Sequence, residues 1–234
     1  MINGKKILGV IPAKANSKGL PGKNIKLFAG EPLIYWTINS AKNSKYIDNI
    51  IVSSEDPEII KIANGYGIST PFVRPIELTK DDKSTIDVII HAVEQCPEFD
   101  LIVVLQPTSP LRRSVDIDKC IEMITNNSPF CVSVTKSKKT PFWMYKLNEK
   151  KNLVSLFPDN TLAFNRQELP ITYELNGAVY VGLSELFLKE KSFINDSTVA
   201  YIMASENSVD IDDSLDFYFA EYLFHKLNKY GQLE

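Results

Sequence analysis

Histidine and cysteine are scarce in this chain of 234 residues, which contains two histidines and three cysteines. The cysteines, Cys96, Cys120 and Cys131, are odd in number and lack the spacing of a metal site, so we expect reduced, structural thiols. His91 and His225 adjoin no motif, and each is interpreted as structural. The sequence therefore offers neither a cysteine-based metal centre nor an evident imidazole base.

A basic excess and a long apolar run are also missing. The net charge is −3 and the isoelectric point is near 5.6, whereas nucleic-acid-binding domains usually carry a strong positive charge. The apolar run at residues 7–11 is too short for a signal peptide or a membrane span. We expect a cytoplasmic protein that binds neither nucleic acid nor a membrane.

Two common phosphate-binding patterns are absent. A P-loop would require glycine at position 17 and serine or threonine at position 24, where the chain has Ser17 and Asn24. The dinucleotide fingerprint G-x-G-x-x-G does not occur either, which argues against a dinucleotide-dependent oxidoreductase. A phosphate site in this chain must therefore be of another kind.

The apolar residues that are present form short runs, which alternate with segments of helical periodicity. Runs interpreted as strands cover residues 7–13, 49–53, 101–105, 130–134, 178–181 and 199–203; segments interpreted as helices cover residues 32–42, 57–66, 86–95, 115–126 and 214–229. Strands that are apolar on both faces belong to parallel sheets covered by helices. The pattern predicts a doubly wound, mostly parallel α/β sheet, from which residues 137–175 form an excursion.

A basic loop follows the first strand. Residues 12–24, PAKANSKGLPGKN, carry Lys14, Lys18 and Lys23 but no acidic residue. Ligands of open α/β sheets bind beyond the carboxyl ends of the strands, which is where this loop lies. Glycine permits close approach of the backbone, and lysine supplies positive charge to phosphate oxygens. The loop predicts a site for a polyphosphate, with a solvated basic loop as the alternative.

The same loop resembles the P-A-R-x-x-S-K-G-[LI]-x-x-K-N signature of the acylneuraminate cytidylyltransferases, the CMP-sialic acid synthetase family. Further stretches match that family in the same order along the chain. They are Arg74-Pro75-x-Glu77-Leu78, LQPTSPLR (105–112), RQELP (166–170), NGAVY (176–180) and Asp210-Ile211-Asp212. The matches span nearly the whole chain, and the loop together with LQPTSPLR is highly specific.

The resemblance implies a single Rossmann-like domain, residues 1–234, of the nucleotide-diphospho-sugar transferase type. It implies transfer of CMP from CTP to the anomeric 2-hydroxyl of a nonulosonic acid, with Mg²⁺ as cofactor and release of pyrophosphate. It also implies a homodimer with sites shared between subunits, in which residues 137–175 are an inserted dimerisation arm. Trp143, where some members carry lysine, favours legionaminic acid, with N-acetylneuraminic acid left open.

Two alternatives to this function remain. One is a CMP-Kdo synthetase or another sugar nucleotidyltransferase, and the other is a nucleotide-binding protein without catalysis. Pyrophosphate release from CTP and Mg²⁺ with a panel of acids distinguishes the three.

By resemblance, the nucleotide-binding candidates are Ala13, Lys14, Asn16, Ser17, Lys18, Gly19, Lys23, Asn24, Arg74, Ser84 and Thr85. Lys14, Lys23 and Asp212 are the catalytic candidates, and Lys14 stands where the family usually has arginine, whose planar fork an ammonium group cannot reproduce. For Ser84 a helix N-cap is the alternative, and for Arg74 a surface arginine.

The candidates for binding the sugar acid are Gln106, Arg166, Asn176, Tyr180 and Phe193. The resemblance implies that Arg166 reaches across from the neighbouring subunit to the substrate carboxylate. For Tyr180 and Phe193, packing in the core is the alternative.

Asp210 and Asp212 are the candidate ligands of Mg²⁺. Side chains two positions apart in an extended segment point to the same side, and carboxylate oxygens suit this ion. The alternative is that Asp212 or Asp213 caps the last helix.

Overall fold

The computed structural model describes residues 1–80, 82–156, 169–229 and 231. The helices are α1 (Leu33–Lys42), α2 (Pro57–Gly65), α3 (Thr85–Gln95), α4 (Ser114–Glu122), α5 (Ser184–Glu190) and α6 (Ser214–Lys229). The strands are β1 (Ile7–Pro12), β2 (Leu27–Phe28), β3 (Glu31–Pro32), β4 (Asn49–Ser53), β5 (Leu101–Leu105), β6 (Phe130–Lys136), β7 (Tyr145–Leu147), β8 (Leu153–Ser155), β9 (Tyr173–Leu183) and β10 (Val199–Ile202).

Six of these strands form the central sheet, in the order β10-β6-β9-β5-β1-β4. β1 is parallel to both β4 and β5, and β10 is parallel to β6. β9 runs antiparallel to β5 and β6, with Val103 opposite Val181. The predicted mostly parallel α/β sheet is confirmed, with one antiparallel strand that begins five residues before the apolar run at 178–181.

Apolar side chains cover both faces of the sheet, because successive residues of a strand point to opposite sides. On one face, Ile7 and Val103 pack with residues of α1, α2 and α4. On the other face, Leu8 and Val104 pack with residues of α3 and α5. A third cluster lies where Phe28 of β2 meets Phe217 of α6, with ring centroids 5.6 Å apart. This cluster anchors α6 beside the basic loop.

The helix starts follow the capping residues read from the sequence. The Asp56 side chain accepts hydrogen bonds from the amides of Glu58 and Ile59 at the start of α2. Ser84 forms a capping box with Asp87 at the start of α3. The prediction for α4 was too long, because the backbone turns at Thr125 and Ser128, whose amides and carbonyls bond each other at 3.1 and 3.2 Å. The short helix α5 was not predicted at all.

The segment predicted as an arm leaves the sheet after Lys136 and rejoins it at Tyr173, where β9 begins. Within its described part, β7 and β8 form an antiparallel pair that is separate from the central sheet. Most of its apolar side chains are exposed, among them Trp143, Tyr145, Leu147, Leu153 and Val154. Because β9 begins at Tyr173, residues 173–175 of the predicted arm belong to the central sheet.

Within the ranges described above, the helices include none that combines the length and the apolar character needed to cross a membrane.

Candidate functional site

A cleft of about 260 Å³ opens at the carboxyl ends of β1, β4 and β5. Its lining includes the predicted site residues Lys14, Ser17, Lys23, Asn24, Arg74, Ser84, Thr85, Gln106 and Asp212. The rest of its lining is Pro12, Leu78, Thr79, Lys80, Lys83, Val88, Pro107 and Thr108. Candidates from five separate parts of the sequence thus lie around one cleft.

The basic loop, residues 12–24, folds back on itself. The buried Asn24 side-chain amide donates to the carbonyl of Lys14 at 2.8 Å. The Gly22 amide donates to the carbonyl of Ala15 at 3.3 Å, and Gly22 itself has a φ of 67°, which glycine adopts without strain. These contacts hold the first turn of the loop so that Lys14 and Ser17 line the cleft.

Lys23 joins the basic loop to the segment before α6. Its ammonium group donates to the carbonyl of Ile211 at 2.5 Å and lies 3.7 Å from Asp212 Oδ1. The Lys23 side chain is 10% exposed, whereas that of Asp212 is 82% exposed and accessible to a ligand. Gly19 lies against the same segment, since a Cβ there would be 2.2 Å from the Asp212 carbonyl oxygen. The basic loop is therefore in direct contact with residues 210–212, the aspartate segment.

Asp210 lies closer to the protein interior than Asp212. Its Oδ1 is buried without a hydrogen-bond partner. Burial raises the pKa of Asp210, a hydrogen bond from Thr108 lowers it, and the nearby charge of Asp212 raises it. Asp210 lines a different cavity, of about 430 Å³, with Lys136, Glu174 and Ser208 among its neighbours. Ile211 between the two aspartates is buried in the third cluster.

The start of α6 is capped by Asp213, whose Oδ1 accepts from the amides of Leu215 and Asp216. The Asp212 side chain makes no such contact in the described structure. Asp213 is therefore the capping residue, and the side chain of Asp212 remains accessible to a ligand. Among the described residues, no group of three or more histidine, cysteine and carboxylate side chains is arranged to hold a metal ion. A metal at this site would need ligands from a substrate or solvent as well.

The basic loop and the aspartate segment form one wall of the cleft. The opposite wall starts at Arg74, which is buried and is not a surface arginine. Its Nε donates to Ser53 Oγ at 3.1 Å, and its Nη2 donates to the Ser53 carbonyl. Burial lowers the pKa of Arg74 to about 10, and the charge of Glu55 counteracts that effect. Ser84 lines the same wall while it caps α3, so the two roles considered for this residue are compatible.

The other nucleotide-binding candidates that the structure describes are not part of this lining. Ala13 is part of the buried core, and Asn16, Lys18 and Gly19 belong to the basic loop but not to the lining. Arg166 lies outside the described residues.

Asn176 and Phe193 are engaged inside the protein. The side-chain Oδ1 of Asn176 accepts from Ser133 Oγ at 2.6 Å, and its Nδ2 donates to Ser208 Oγ at 3.0 Å. Phe193 is buried and stacks on Phe187 with centroids 4.5 Å apart. Tyr180 is partly buried beside this group, where burial raises its pKa. The structure thus places Tyr180 and Phe193 at the core, which was the alternative to sugar binding for both residues.

Several residues that shape the cleft were not among the candidate site residues. Lys80 and Lys83 line it, although no motif singles them out. Arg112, the last residue of LQPTSPLR, is buried and donates to the carbonyls of Gln106 and Ala178 at 3.2 and 2.9 Å. Burial lowers the pKa of Arg112 to about 9. Arg112 fixes the chain just after β5 and thereby the position of Gln106.

The charges of the lining are strongly unbalanced. Its cations are Lys14, Lys23, Arg74, Lys80 and Lys83, and Asp212 is the acid of the lining. A partly enclosed group of cations favours an anionic ligand and attracts it over some distance. The fold and this cleft define an α/β protein with a site for a polyanion.

Comparison with known proteins identifies the family. The chain belongs to the cytidylyltransferase family, whose sequence model matches residues 8–224. It is 36% identical over 225 residues to CMP-N,N'-diacetyllegionaminic acid synthase of Legionella pneumophila, with 93% of this chain and 96% of that protein covered. It is 34% identical to pseudaminic acid cytidylyltransferase of Campylobacter jejuni, with 94% and 96% covered.

N-acylneuraminate cytidylyltransferase of Escherichia coli is 33% identical over 226 residues, which cover 96% of this chain. The chain spans about half of that protein, 53% of its length. The family resemblance drawn from the motifs is confirmed by these relatives.

Solved structures of lower identity share the fold. CMP:2-keto-3-deoxy-manno-octonic acid synthetase complexed with CTP matches with a TM-score of 0.72 at 16% identity, over 94% of this chain and 99% of that chain. A 4-diphosphocytidyl-2C-methyl-D-erythritol synthase from Anaerococcus prevotii matches with a TM-score of 0.69 at 17% identity, over 96% and 98%.

Proposed function

We propose that this chain transfers CMP from CTP to the anomeric 2-hydroxyl of a nonulosonic acid and releases pyrophosphate. The observation that carries the proposal is the contact between the basic loop and the aspartate segment, where the buried Lys23 meets Asp212 across the cleft. The relatives support the substrate class, since their names specify legionaminic, pseudaminic and acylneuraminic acids.

CTP suits the cleft by its charge. Its triphosphate lies along the basic loop, where Lys14 and Lys23 neutralise the phosphate oxygens, with Lys80 and Lys83 on the opposite wall. Its cytidine lies between Arg74 and the start of α3, where Ser84 and Thr85 offer hydroxyl groups. Asn24 holds the loop through its bond to Lys14 and need not contact the base.

The reaction is an in-line displacement at the α-phosphorus. The 2-hydroxyl oxygen forms the new bond to phosphorus, the bond from phosphorus to the bridging oxygen breaks, and pyrophosphate leaves with that electron pair. No histidine lies among the described lining residues, and we propose that a phosphate oxygen of CTP accepts the hydroxyl proton. Such transfers depend mainly on positioning and on stabilising charge, which fixed cations supply.

We propose that Asp212, which lines the cleft, is one ligand of a Mg²⁺ ion and that Asp210, which lines a different cavity in this structure, is the other. Both provide hard carboxylate oxygens, and the Oδ1 of Asp210 has no hydrogen-bond partner although it is buried. The ion would draw charge from the phosphate oxygens when it is bound with CTP. Lys23 holds Asp212 beside the loop whether or not the ion is present.

We extend the proposal to the sugar acid and to a homodimer. Gln106 lines the cleft at the end of β5 and offers an amide to the hydroxyl or acyl groups of the sugar. Arg166 of a second subunit binds the carboxylate of the sugar acid. The exposed apolar side chains of β7 and β8 support an arm that packs against another copy of the chain.

A cytoplasmic setting is also part of the proposal. It is supported by three cysteines that are free and buried, as expected in a reducing compartment.

The test is pyrophosphate release from CTP and Mg²⁺ with a panel of legionaminic, pseudaminic, N-acetylneuraminic and Kdo acids. Release with one or more nonulosonic acids, but not with Kdo, supports the proposal. Release with Kdo alone identifies a CMP-Kdo synthetase. CTP binding without turnover identifies a nucleotide-binding protein without catalysis. Product analysis by mass spectrometry confirms the CMP-sugar.

A further inference from the structure

Ser53, the last residue of β4, and the two residues that follow it lie between the two walls of the cleft. The Ser53 carbonyl accepts from the amide of Ala13 at 3.0 Å, at the start of the basic loop. The Ser54 carbonyl accepts from the amide of Arg74 at 2.9 Å, at the start of the opposite wall. Glu55 follows them and has contacts on both sides.

The two carboxylate oxygens of Glu55 face different walls. Oε1 accepts from the amide of Ala15 in the basic loop at 2.8 Å. Oε2 lies 3.6 Å from Nη1 of Arg74 and is buried without a hydrogen bond. The side chains are largely enclosed, since Glu55 is 12% exposed and Arg74 is 3% exposed. Glu55 thus links a backbone donor of the loop to a cation of the other wall.

The arrangement also fixes the orientation of Arg74. Its Nε and Nη2 are held by Ser53, so Glu55 supplies the charge that faces the remaining nitrogen, Nη1. A buried guanidinium without a nearby carboxylate is costly, and the anionic form of Glu55 offsets that cost. A neutral side chain at position 55 would stabilise this orientation of Arg74 less.

We propose that Glu55 is a positioning residue that couples the two walls of the nucleotide cleft. It holds the basic loop through Ala15 and orients Arg74, so that both walls meet CTP in a preorganised state. This inference rests on the proposed function, since it takes CTP as the ligand. Glu55 does not line the cleft itself and acts through its two neighbours.

The first test compares Glu55→Gln with Glu55→Asp and with the control Glu58→Gln. Glu58 lies three positions away on the exposed surface of α2. Glutamine keeps an oxygen for the Ala15 amide but removes the charge that faces Arg74. We expect the KM for CTP to rise about tenfold in Glu55→Gln, with kcat changed by less than about threefold. Glu55→Asp restores part of the affinity, and Glu58→Gln leaves both constants unchanged.

The second test is a double-mutant cycle with Arg74→Gln, read by calorimetric binding of CTP and of inorganic tripolyphosphate. The effects of the two substitutions on CTP affinity should be strongly non-additive, because one acts through the other. Tripolyphosphate probes the loop without the base, so Arg74→Gln should lower its affinity less than it lowers the affinity for CTP. Glu55→Ala, which also loses the acceptor for Ala15, should lower it. The neutral pair Glu55→Gln/Arg74→Gln is the folded reference if a single variant is unstable.

Several outcomes would overturn the inference. They are an unchanged KM in Glu55→Gln, additive effects in the cycle, and a fall in kcat and thermal stability without a change in KM. Failure of both single and double variants to fold would assign Glu55 to folding alone. These outcomes are distinct from failure of the proposed function, in which the unmodified protein neither binds nor turns over CTP.

Discussion

The cleft has buried charged side chains, whereas the arm has exposed apolar ones. Around the cleft, the charged side chains of Lys23, Arg74 and Arg112 are buried, and each has polar partners. In the described part of the arm, Leu147 and Leu153 are exposed at 65% and 68%, on a strand pair that adds nothing to the central sheet. Each region carries surface of a kind that an isolated folded chain normally avoids.

The difference indicates what each region is suited to contact. Fixed cations in an enclosed cleft favour an anionic ligand, because their orientation has been set during folding rather than during binding. Exposed apolar side chains on a separate strand pair favour a protein surface, because burying them gains about 25 cal/mol per Å². The cleft therefore suits the proposed nucleotide, and the arm suits the proposed contact with a second copy of the chain.

The largest effect should come from Asp212→Asn in the cleft. The substitution removes a proposed ligand of Mg²⁺ and the partner of Lys23, so we expect kcat to fall at least about 100-fold. Thermal unfolding should be nearly unchanged, because this side chain is 82% exposed. Asp213→Asn is the matched control, since asparagine can still cap α6. Near-normal turnover in Asp212→Asn would remove the assignment of this residue to the metal.

The next effect concerns the contact between the basic loop and the aspartate segment. In Gly19→Ala the new Cβ would lie 2.2 Å from the Asp212 carbonyl oxygen, so one of the two segments must move. We expect kcat/KM to fall by about tenfold or more, because small displacements of catalytic groups are costly. Gly65→Ala is the control, since a Cβ there meets nothing within 4 Å. Equal activity of the two variants would show that the close contact is not needed.

The arm should respond through assembly. We expect Leu147→Asp to weaken self-association by about tenfold or more, since truncating a buried apolar anchor at an interface has this order of effect. Sedimentation velocity over a range of concentrations measures the change. CTP binding should persist, whereas turnover should fall if a partner's Arg166 completes the site. The control is Leu27→Asp, also 65% exposed but on β2. Identical sedimentation of both variants would contradict a role of the arm in assembly.

The smallest effect is expected at the far edge of the sheet, outside both regions. The Tyr201 hydroxyl donates to Asp116 Oδ1 at 3.1 Å, and burial together with the charge of Asp116 raises the pKa of Tyr201 to about 12. The neutral phenol is thus favoured in the folded state. Its contribution to stability is complete below pH 10 and is lost as the pH rises from 10 towards 12.

Tyr201→Phe should lower the free energy of unfolding by about 1 kcal/mol at neutral pH. Between pH 10 and 12 the variant should lose less stability than the unmodified protein, since it has no phenol to ionise there. Denaturant unfolding at several pH values measures both, with the exposed Tyr218→Phe as control. A parallel decline of all three proteins would contradict the raised pKa.

Local features of the fold could be predicted because their causes are local. Asp56 and Ser84 cap helices through bonds that span two or three residues, and β5 is apolar at every position. The direction of β9 could not be predicted, because a strand buried on both faces has the same pattern whichever way it runs. Helix α5 is only seven residues long and is fixed by the packing of Phe187 in the core.

The candidate site was predictable where a motif carried it and not elsewhere. Lys23, Asn24, Arg74 and Gln106 were assigned by resemblance, and the structure places them around one cleft. Glu55 belongs to no quoted motif, and its importance depends on the Ala15 amide, 40 positions away. Asn176 was assigned to the sugar, but its side chain is occupied by Ser133 and Ser208, which no spacing reveals.

By itself, the sequence determined the alternation of strands and helices, the basic character of the loop after the first strand, and the family. Only the tertiary structure decided that Lys23 meets a carbonyl 188 positions away, that Glu55 lies between two walls, and that the apolar residues of the arm stay exposed. The physical reason is that propensities and charges are properties of neighbouring residues. Distances between remote residues depend instead on the path of the whole chain through the sheet.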